Sequence, residues 1–223
     1  MPSGTTATAP TATPTSVAAP ASPPSAHIVD RYIPYGPTRL AEMAAYSLRH
    51  YGTRTSRLTP SAVVLHVTGT TSVSSTIAGF AADGPDLGEL PGKCAHYLVG
   101  QDGTVFALVP TDVRCRHAVG FDDQSIGIEI MQASEGRSSG WADQQILARP
   151  AQLGAALALV RMLQARYGIP DDRVVGHAMV NSTTGFHDLL GWRNDHTDWQ
   201  EVDVDVFRSL LHSRHVGQDG GHE

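Results

Sequence analysis

Short apolar runs of strand length recur along the chain from residue 62 onward. Runs of this length, rich in Val, Ile and Leu, are typical of strands buried in a sheet. The predicted strands cover residues 62–67, 95–99, 104–109, 125–131 and 173–177. Asp102 and Gly103 lie between the second and third runs, where they supply the turn of a β-hairpin.

Apolar residues recur at helical spacing in segments between and around these runs. The predicted helices cover residues 38–51, 72–82, 150–168 and 204–211. Gly52 and Gly168 end two of them, because glycine readily adopts the left-handed conformation found just after a helix. Since strands and helices interleave, the pattern predicts an α/β domain with a central mixed β-sheet flanked by helices.

Residues 1–26 differ from the rest, because they consist almost wholly of Thr, Ala, Pro and Ser. Such a segment buries too little apolar surface to fold, so we expect a disordered arm. We divide the remainder into an N-terminal helical segment and link (27–59), the main domain (60–212) and a flexible tail (213–223). The arm is similar to the spacer that follows a removed export signal, which favours a secreted or cell-wall-associated protein. A cytoplasmic protein with an unstructured start is the alternative.

The formal net charge of −6 and the absence of a basic stripe argue against nucleic-acid binding. No run approaches the roughly 20 apolar residues of a membrane-spanning helix, so we expect no membrane insertion. No feature of the sequence encodes an oligomer, and we expect a monomer. Histidine is abundant, with 11 residues beside a single lysine, Lys93, and this surplus of imidazole directs attention to metal sites.

Two histidines lie at strand positions: His66 within an apolar run, and His177 at the end of another. Neutral imidazole is a common zinc ligand, although each ring could instead be a buried histidine satisfied by a backbone carbonyl. Asp198, in a polar loop after His177, could complete a His-His-Asp set with one position open for water, the layout of a catalytic zinc site. The alternative is a solvated loop with a helix cap.

Glu129 stands between Ile128 and Ile130 in a predicted strand. A carboxylate in the middle of a sheet needs a partner or a function, and a general base beside a metal-bound water is one such function. An exposed sheet face or a salt bridge to an arginine are the alternatives.

Cys94 and Cys115 flank the predicted hairpin, which brings them near each other. In an exported protein we expect them to form a disulfide. Two free thiols, or Cys115 as a metal ligand, are the alternatives.

The order of these features resembles the zinc-dependent N-acetylmuramoyl-L-alanine amidases, which share their fold with peptidoglycan recognition proteins and phage amidase-type lysozymes. The matching features, in chain order, are His66, Ala95-His96-Tyr97, Asp102-Gly103, His117-Ala118, Ser125–Glu129, Val175-Gly176-His177 and His196-Thr197-Asp198. The resemblance covers roughly residues 60–212. It implies a single domain with one zinc ion in a surface groove, and peptidoglycan or muramyl peptides as the partner.

The resemblance also assigns roles to individual residues. It implies zinc ligands at His66, His177 and Asp198, a water-activating acid at Glu129, an oxyanion-stabilising group at His196 and a substrate-groove residue at His117. At His196 the family usually has lysine. The implied reaction is hydrolysis of the amide between the lactyl group of N-acetylmuramic acid and L-alanine of the stem peptide. A recognition module that binds peptidoglycan without cutting it is the alternative, and such members lose zinc ligands.

Overall fold

The structure is a computed structural model that describes residues 27–216 together with Met1. Most of the predicted arm and the end of the predicted tail lie outside the described residues. Among the described residues, no single helix has the length and apolar character needed to cross a membrane, although two helices meeting at a 90° bend, Ser139–Leu147 and Pro150–Tyr167, pass that test as a pair.

A mixed sheet of six strands, in the order β1-β4-β3-β5-β2-β6, forms the centre of the domain. The strands are β1 (Ile28–Asp30), β2 (Ala62–Gly69), β3 (Tyr97–Val99), β4 (Val105–Ala107), β5 (Ser125–Ala133) and β6 (Val174–Gly176). Only the β3–β4 hairpin is antiparallel; the other neighbouring strands are parallel. The long strands β2 and β5 lie side by side and carry His66 and Glu129.

Within the described part of the chain, five α-helices accompany the sheet. They are α1 (Pro37–Tyr51), α2 (Val73–Ala81), α3 (Ser139–Leu147), α4 (Pro150–Tyr167) and α5 (Glu201–Val216), with short 3-10 helices at Asp171–Arg173 and His177–Ser182. Left-handed glycines at 52 and 168 end α1 and α4, as the sequence predicts. The predicted α/β class is therefore observed. No strand was predicted before residue 62, yet β1 pairs with β4 at one edge of the sheet.

The alternation of side chains along β2 and β5 separates the core from the site. Leu65 and Ile128 are paired in register and point into the main core, where α4 and α5 cover the sheet. The next residues, His66 and Glu129, are also paired in register and therefore point to the opposite face. The period of two thus places two polar side chains together on the face that the core helices leave uncovered.

Candidate active site

Three strands bring two histidines and a glutamate to one region of the sheet. His66 and Glu129 are neighbours on β2 and β5. His177 directly follows β6, whose last residue, Gly176, pairs with Leu65 of β2. His177 is therefore next to His66 along the same face. Asp198 reaches the group from the loop before α5, where its Oδ2 accepts a hydrogen bond of 3.0 Å from the Val67 amide.

His66, His177 and Asp198 form a compact set of ligand atoms. The two Nδ1 atoms are 3.0 Å apart, and His177 Nδ1 lies 3.4 Å from Asp198 Oδ1. One ligand atom from each residue lies within 4.8 Å of the others. Since bonds from zinc to nitrogen and oxygen are about 2.0–2.2 Å, atoms at these separations can share one ion.

The hydrogen bonds around His66 determine which of its nitrogens carries the proton. His117 Nε2 lies 3.2 Å from the Ser125 carbonyl oxygen, which can only accept, so His117 donates there. Burial lowers the pKa of His117 to about 3, so the ring is neutral and its Nδ1 is an acceptor. His66 Nε2, 3.0 Å away, must then donate to that Nδ1. His66 is left with a lone pair on its own Nδ1.

His177 is fixed in the same way from the other side. Its Nε2 lies 3.1 Å from Asn194 Oδ1. The amide of Asn194 is oriented by its Nδ2, which donates to the Val119 carbonyl at 2.7 Å, so Oδ1 is the acceptor. His177 therefore donates from Nε2 and keeps a lone pair on Nδ1.

Two imidazole lone pairs and a carboxylate oxygen thus converge with no hydrogen between them. Burial, and then the neighbouring rings of His177 and His117, lower the pKa of His66 well below its usual value. Burial raises the pKa of Asp198, but the facing His177 ring and the hydrogen bond from the Val67 amide outweigh it, so the pKa is lowered. A neutral His66 beside an ionised Asp198 matches the protonation states that metal ligands require. The group can hold a metal ion.

The loop carrying Asp198 is held by contacts that the sequence analysis did not predict. Trp199 adopts a left-handed φ of 54°, and its buried amide donates to Asp143 Oδ2 at 2.9 Å. The Trp199 carbonyl oxygen lies so close to Gly176 that a Cβ there would be 1.6 Å from it. Any other residue at position 176 would therefore displace the loop. The glycine before His177 was visible in the sequence, whereas nothing in the sequence marks Asp143.

Glu129 lies beside the metal-ligand group without a partner. Its Oε2 is buried and forms no hydrogen bond. Burial, followed by the charge of Asp198, raises its pKa to about 8. Within the described part of the chain it has no salt bridge to an arginine. A carboxyl group whose pKa lies near neutral pH, beside a potential metal site, has the properties of a general acid and base.

The site opens into a groove of about 710 Å³. His66, His177 and Glu129 line the groove, together with residues of α2 and of the following loop, 82–93. His196 is half-exposed at the rim, where its ring stacks on His177 with centroids 4.1 Å apart. Burial and the neighbouring ring of His177 lower the pKa of His196, which favours its neutral form.

Lys93 is a groove residue that sequence analysis missed, although it is the only lysine in the chain. Its Nζ is 3.4 Å from Asp86. The next residue, Cys94, forms a disulfide with Cys115. The disulfide ties the loop that contains Lys93 to the segment leading into His117.

A mixed sheet carrying a His-His-Asp group with an adjacent unpaired carboxyl defines a hydrolase of the α/β class whose site can hold a metal. The chain belongs to the N-acetylmuramoyl-L-alanine amidase family, whose sequence profile matches residues 56–198. The amidase family and the enzyme class expected from the sequence are thereby confirmed.

Solved structures of amidases and endolysins resemble this fold. AmiA of Staphylococcus aureus, solved with its ligand, is 16% identical with a TM-score of 0.52, covering 84% of each chain. A mutant endolysin from Bacillus subtilis is 19% identical with a TM-score of 0.48, covering 82% of this chain and 97% of its own. AmiD of E. coli, in complex with an anhydro-N-acetylmuramic acid peptide, is 25% identical with a TM-score of 0.42, covering 55% of this chain and 49% of its own. No curated protein sequence matches the chain.

Proposed function

We propose that this amidase uses zinc, held by His66, His177 and Asp198, to hydrolyse the bond between the lactyl group of N-acetylmuramic acid and L-alanine in peptidoglycan. The observation that carries the proposal is the convergence of three lone-pair atoms beside an unpaired glutamate. Zinc bound there would polarise the amide carbonyl and lower the pKa of water toward about 7.

Glu129 is the proton carrier of the proposed reaction. It takes a proton from the attacking water and delivers it to the leaving amine of L-alanine. Its raised pKa suits both steps, because a carboxyl with a pKa of about 8 holds a proton readily and still releases it near neutral pH. Its enclosed Oε2 has no competing hydrogen bond to break first.

His196 is the proposed hydrogen-bond donor to the developing oxyanion. It lies on the groove rim, stacked on His177, and its lowered pKa leaves a neutral ring that can donate one hydrogen bond. The resemblance to the amidase family predicts a substrate-groove role for His117, and the His117 ring lines the groove.

We propose further that the protein acts outside the cell as a monomer, on polymeric or fragmented cell wall. The disulfide supports an extracellular site, because such bonds persist in oxidising compartments. The alternative function, recognition of peptidoglycan without cleavage, needs no metal ligands. The complete ligand set therefore favours the enzyme.

The test is cleavage of a muramyl peptide, followed by mass spectrometry of the released stem peptide. We expect cleavage by the purified protein, loss of cleavage with a chelator, and recovery when zinc is added back. Cleavage that persists after complete zinc removal would contradict the zinc role. Stoichiometric zinc binding without any cleavage would favour the recognition module.

Glu129→Gln is the matched variant for this test, because it preserves shape and removes the titratable group. We expect it to bind zinc as the wild type does and to lose about 100-fold or more of its turnover. Full turnover in this variant would make Glu129 a structural residue.

A further inference from the structure

His117 lines the groove, but its ring has no polar atom left for a substrate. Its Nδ1 is engaged by His66 Nε2 at 3.0 Å, and its Nε2 is engaged by the Ser125 carbonyl at 3.2 Å. Among residues 27–216, the only additional hydrogen-bonding neighbour of the ring is the Ser125 hydroxyl, 3.4 Å from Nε2. The ring is therefore a link between the backbone of β5 and a metal-ligand candidate on β2.

The His117 ring occupies the space that a side chain at Gly127 would fill. Gly127 lies on β5 two residues before Glu129, on the face that carries the site. A Cβ at Gly127 would lie 2.6 Å from Cγ of His117 and 2.8 Å from its Cδ2. Both atoms belong to a rigid ring, so no small rotation would relieve the overlap. Glycine at this position is needed for the ring to reach His66.

The backbone of His117 is held just as firmly. The amides of His117 and Ala118 both donate to Asp122 Oδ1, at 2.8 and 2.7 Å. Asp122 is buried, and its other oxygen accepts a bond from the Tyr51 hydroxyl at 3.1 Å. Tyr51 ends α1, which lies outside the residues that match the family profile. A part of the chain beyond the family core thus helps to place the His117 ring.

We propose that His117 is a positioning residue, which holds His66 in the Nε2–H form and so keeps the Nδ1 lone pair of His66 directed at the metal. The inference rests on the proposed function for the identity of the ion. In this role His117 supports a metal ligand and does not contact the substrate. Without an acceptor at position 117, the Nε2–H of His66 would lose its partner, and the proton could move to Nδ1.

The first measurement is the ring tautomer of His66, read by ¹⁵N NMR in the metal-free protein. We expect the Nε2–H form in the wild type and a mixture of tautomers in His117→Leu. Gly127→Ala should give the same mixture without changing any histidine, because it displaces the His117 ring. His117→Asn offers a side-chain oxygen as acceptor and should restore most of the wild-type signal.

The second measurement is zinc affinity, from competition with a chromogenic chelator. Partners of metal ligands typically contribute about 10–100-fold to affinity, and we expect losses in that range for His117→Leu and Gly127→Ala. His212→Leu is the matched control, because His212 lies exposed on α5 and contacts Asp171 away from the groove. It should bind zinc as the wild type does.

An unchanged tautomer and unchanged zinc affinity in Gly127→Ala and His117→Leu would overturn the inference. If His117→Leu raised KM for the muramyl peptide and changed nothing else, His117 would be a substrate-binding residue and the inference would be wrong. If His117→Leu does not fold, Gly127→Ala and His117→Asn still decide the question. Because the tautomer is measured without metal, it does not depend on zinc binding. A wild-type protein that bound no zinc would contradict the proposed function, and the tautomer measurement would still decide the role of His117.

Discussion

His50 and His66 are both enclosed by protein, but their ring nitrogens face opposite kinds of partner. His50 Nδ1 lies 2.6 Å from Asp188 Oδ2, and its Nε2 lies 2.9 Å from Glu89 Oε2. Carboxylate oxygens are acceptors, so each ring nitrogen of His50 faces a group to which it donates. The ion-pair cluster of His50, Glu89 and Asp188 thus joins a donor ring to two acceptor side chains.

The active-site cluster of His66, His117 and His177 has the reverse arrangement. The outward-facing nitrogens of His66 and His177 donate to His117 and Asn194, and two acceptor nitrogens are left 3.0 Å apart. A metal ion satisfies this arrangement. The hydrogen-bond partners around a buried histidine therefore decide whether its ring nitrogens donate to acids or remain free to bind a metal.

The ion-pair cluster also supports the loops around the groove. His50 is on α1, Glu89 is in the loop that leads to Lys93, and Asp188 is in the loop that leads to Asn194 and Asp198. Arg49 adds a second ion pair to Glu89 at 3.1 Å. Burial raises the pKa of Glu89, but its bonds to Arg49 and His50 outweigh it and lower the pKa. We infer that this cluster contributes to stability and the other to chemistry.

Removal of a proposed metal ligand gives the largest expected effect. His66→Ala and His177→Ala should each lose stoichiometric zinc, with a fall in muramyl-peptide cleavage well beyond the roughly 100-fold typical of outer partners. Metal analysis and cleavage rates on the same samples provide the measurement. His50→Ala is the control from the other cluster and should retain stoichiometric zinc. Loss of zinc from all three variants would remove the distinction between the clusters.

His50→Ala should instead reduce the free energy of unfolding by about 3–5 kcal/mol, because it leaves Oδ2 of the buried Asp188 carboxylate without its histidine partner. Urea unfolding monitored by circular dichroism measures the loss. His212→Ala, which breaks an exposed contact with Asp171, should cost less than about 1 kcal/mol. Equal losses in the two variants would contradict the structural role of the ion-pair cluster.

The disulfide connects the loop of Glu89 and Lys93 to the segment that leads into His117. Cys94 and Cys115 are 21 residues apart, and closing a loop of this length stabilises a fold by about 3 kcal/mol in the chain-entropy model. We expect Cys94→Ser combined with Cys115→Ser to lower the unfolding free energy by that amount. Reduction of the wild type should reproduce the effect. An unchanged unfolding midpoint after reduction would contradict this prediction.

Glu129→Gln should stabilise the metal-free protein in a way that depends on pH. The folded-state pKa of about 8 lies above the usual 4.5, so the folded protein holds a proton that the unfolded chain has released. Stability of the wild type therefore falls as pH rises through this interval. Relative to wild type, the variant should gain about 2–3 kcal/mol between pH 6 and pH 9. A difference that does not change with pH would show that Glu129 titrates normally.

Much of the site could be predicted because its residues interrupt regular patterns. His66 and Glu129 are polar residues in apolar strands, and His177 ends a strand, so their types and positions were informative. The main strands and helices were visible for the same reason: the spacing of apolar residues is local information.

The parts that the sequence could not supply depend on contacts between distant segments. β1 contains three residues and owes its existence to backbone pairing with β4. The orientation of His117 depends on the space above Gly127 and on a carbonyl group. Lys93 lies in the groove because the loop of residues 82–93, which ends at Lys93, lines that groove. None of these features has a period or a composition that marks it in advance.

The most direct test of the proposed metal site is an anomalous difference map, recorded at the zinc absorption edge from crystals grown with zinc. We expect one strong peak within about 2.0–2.2 Å of His66 Nδ1, His177 Nδ1 and a carboxylate oxygen of Asp198. We expect no peak at the ion-pair cluster of His50. A zinc-saturated crystal with no peak between the three residues, or with zinc bonded to His117, would show that these three residues do not form the zinc site.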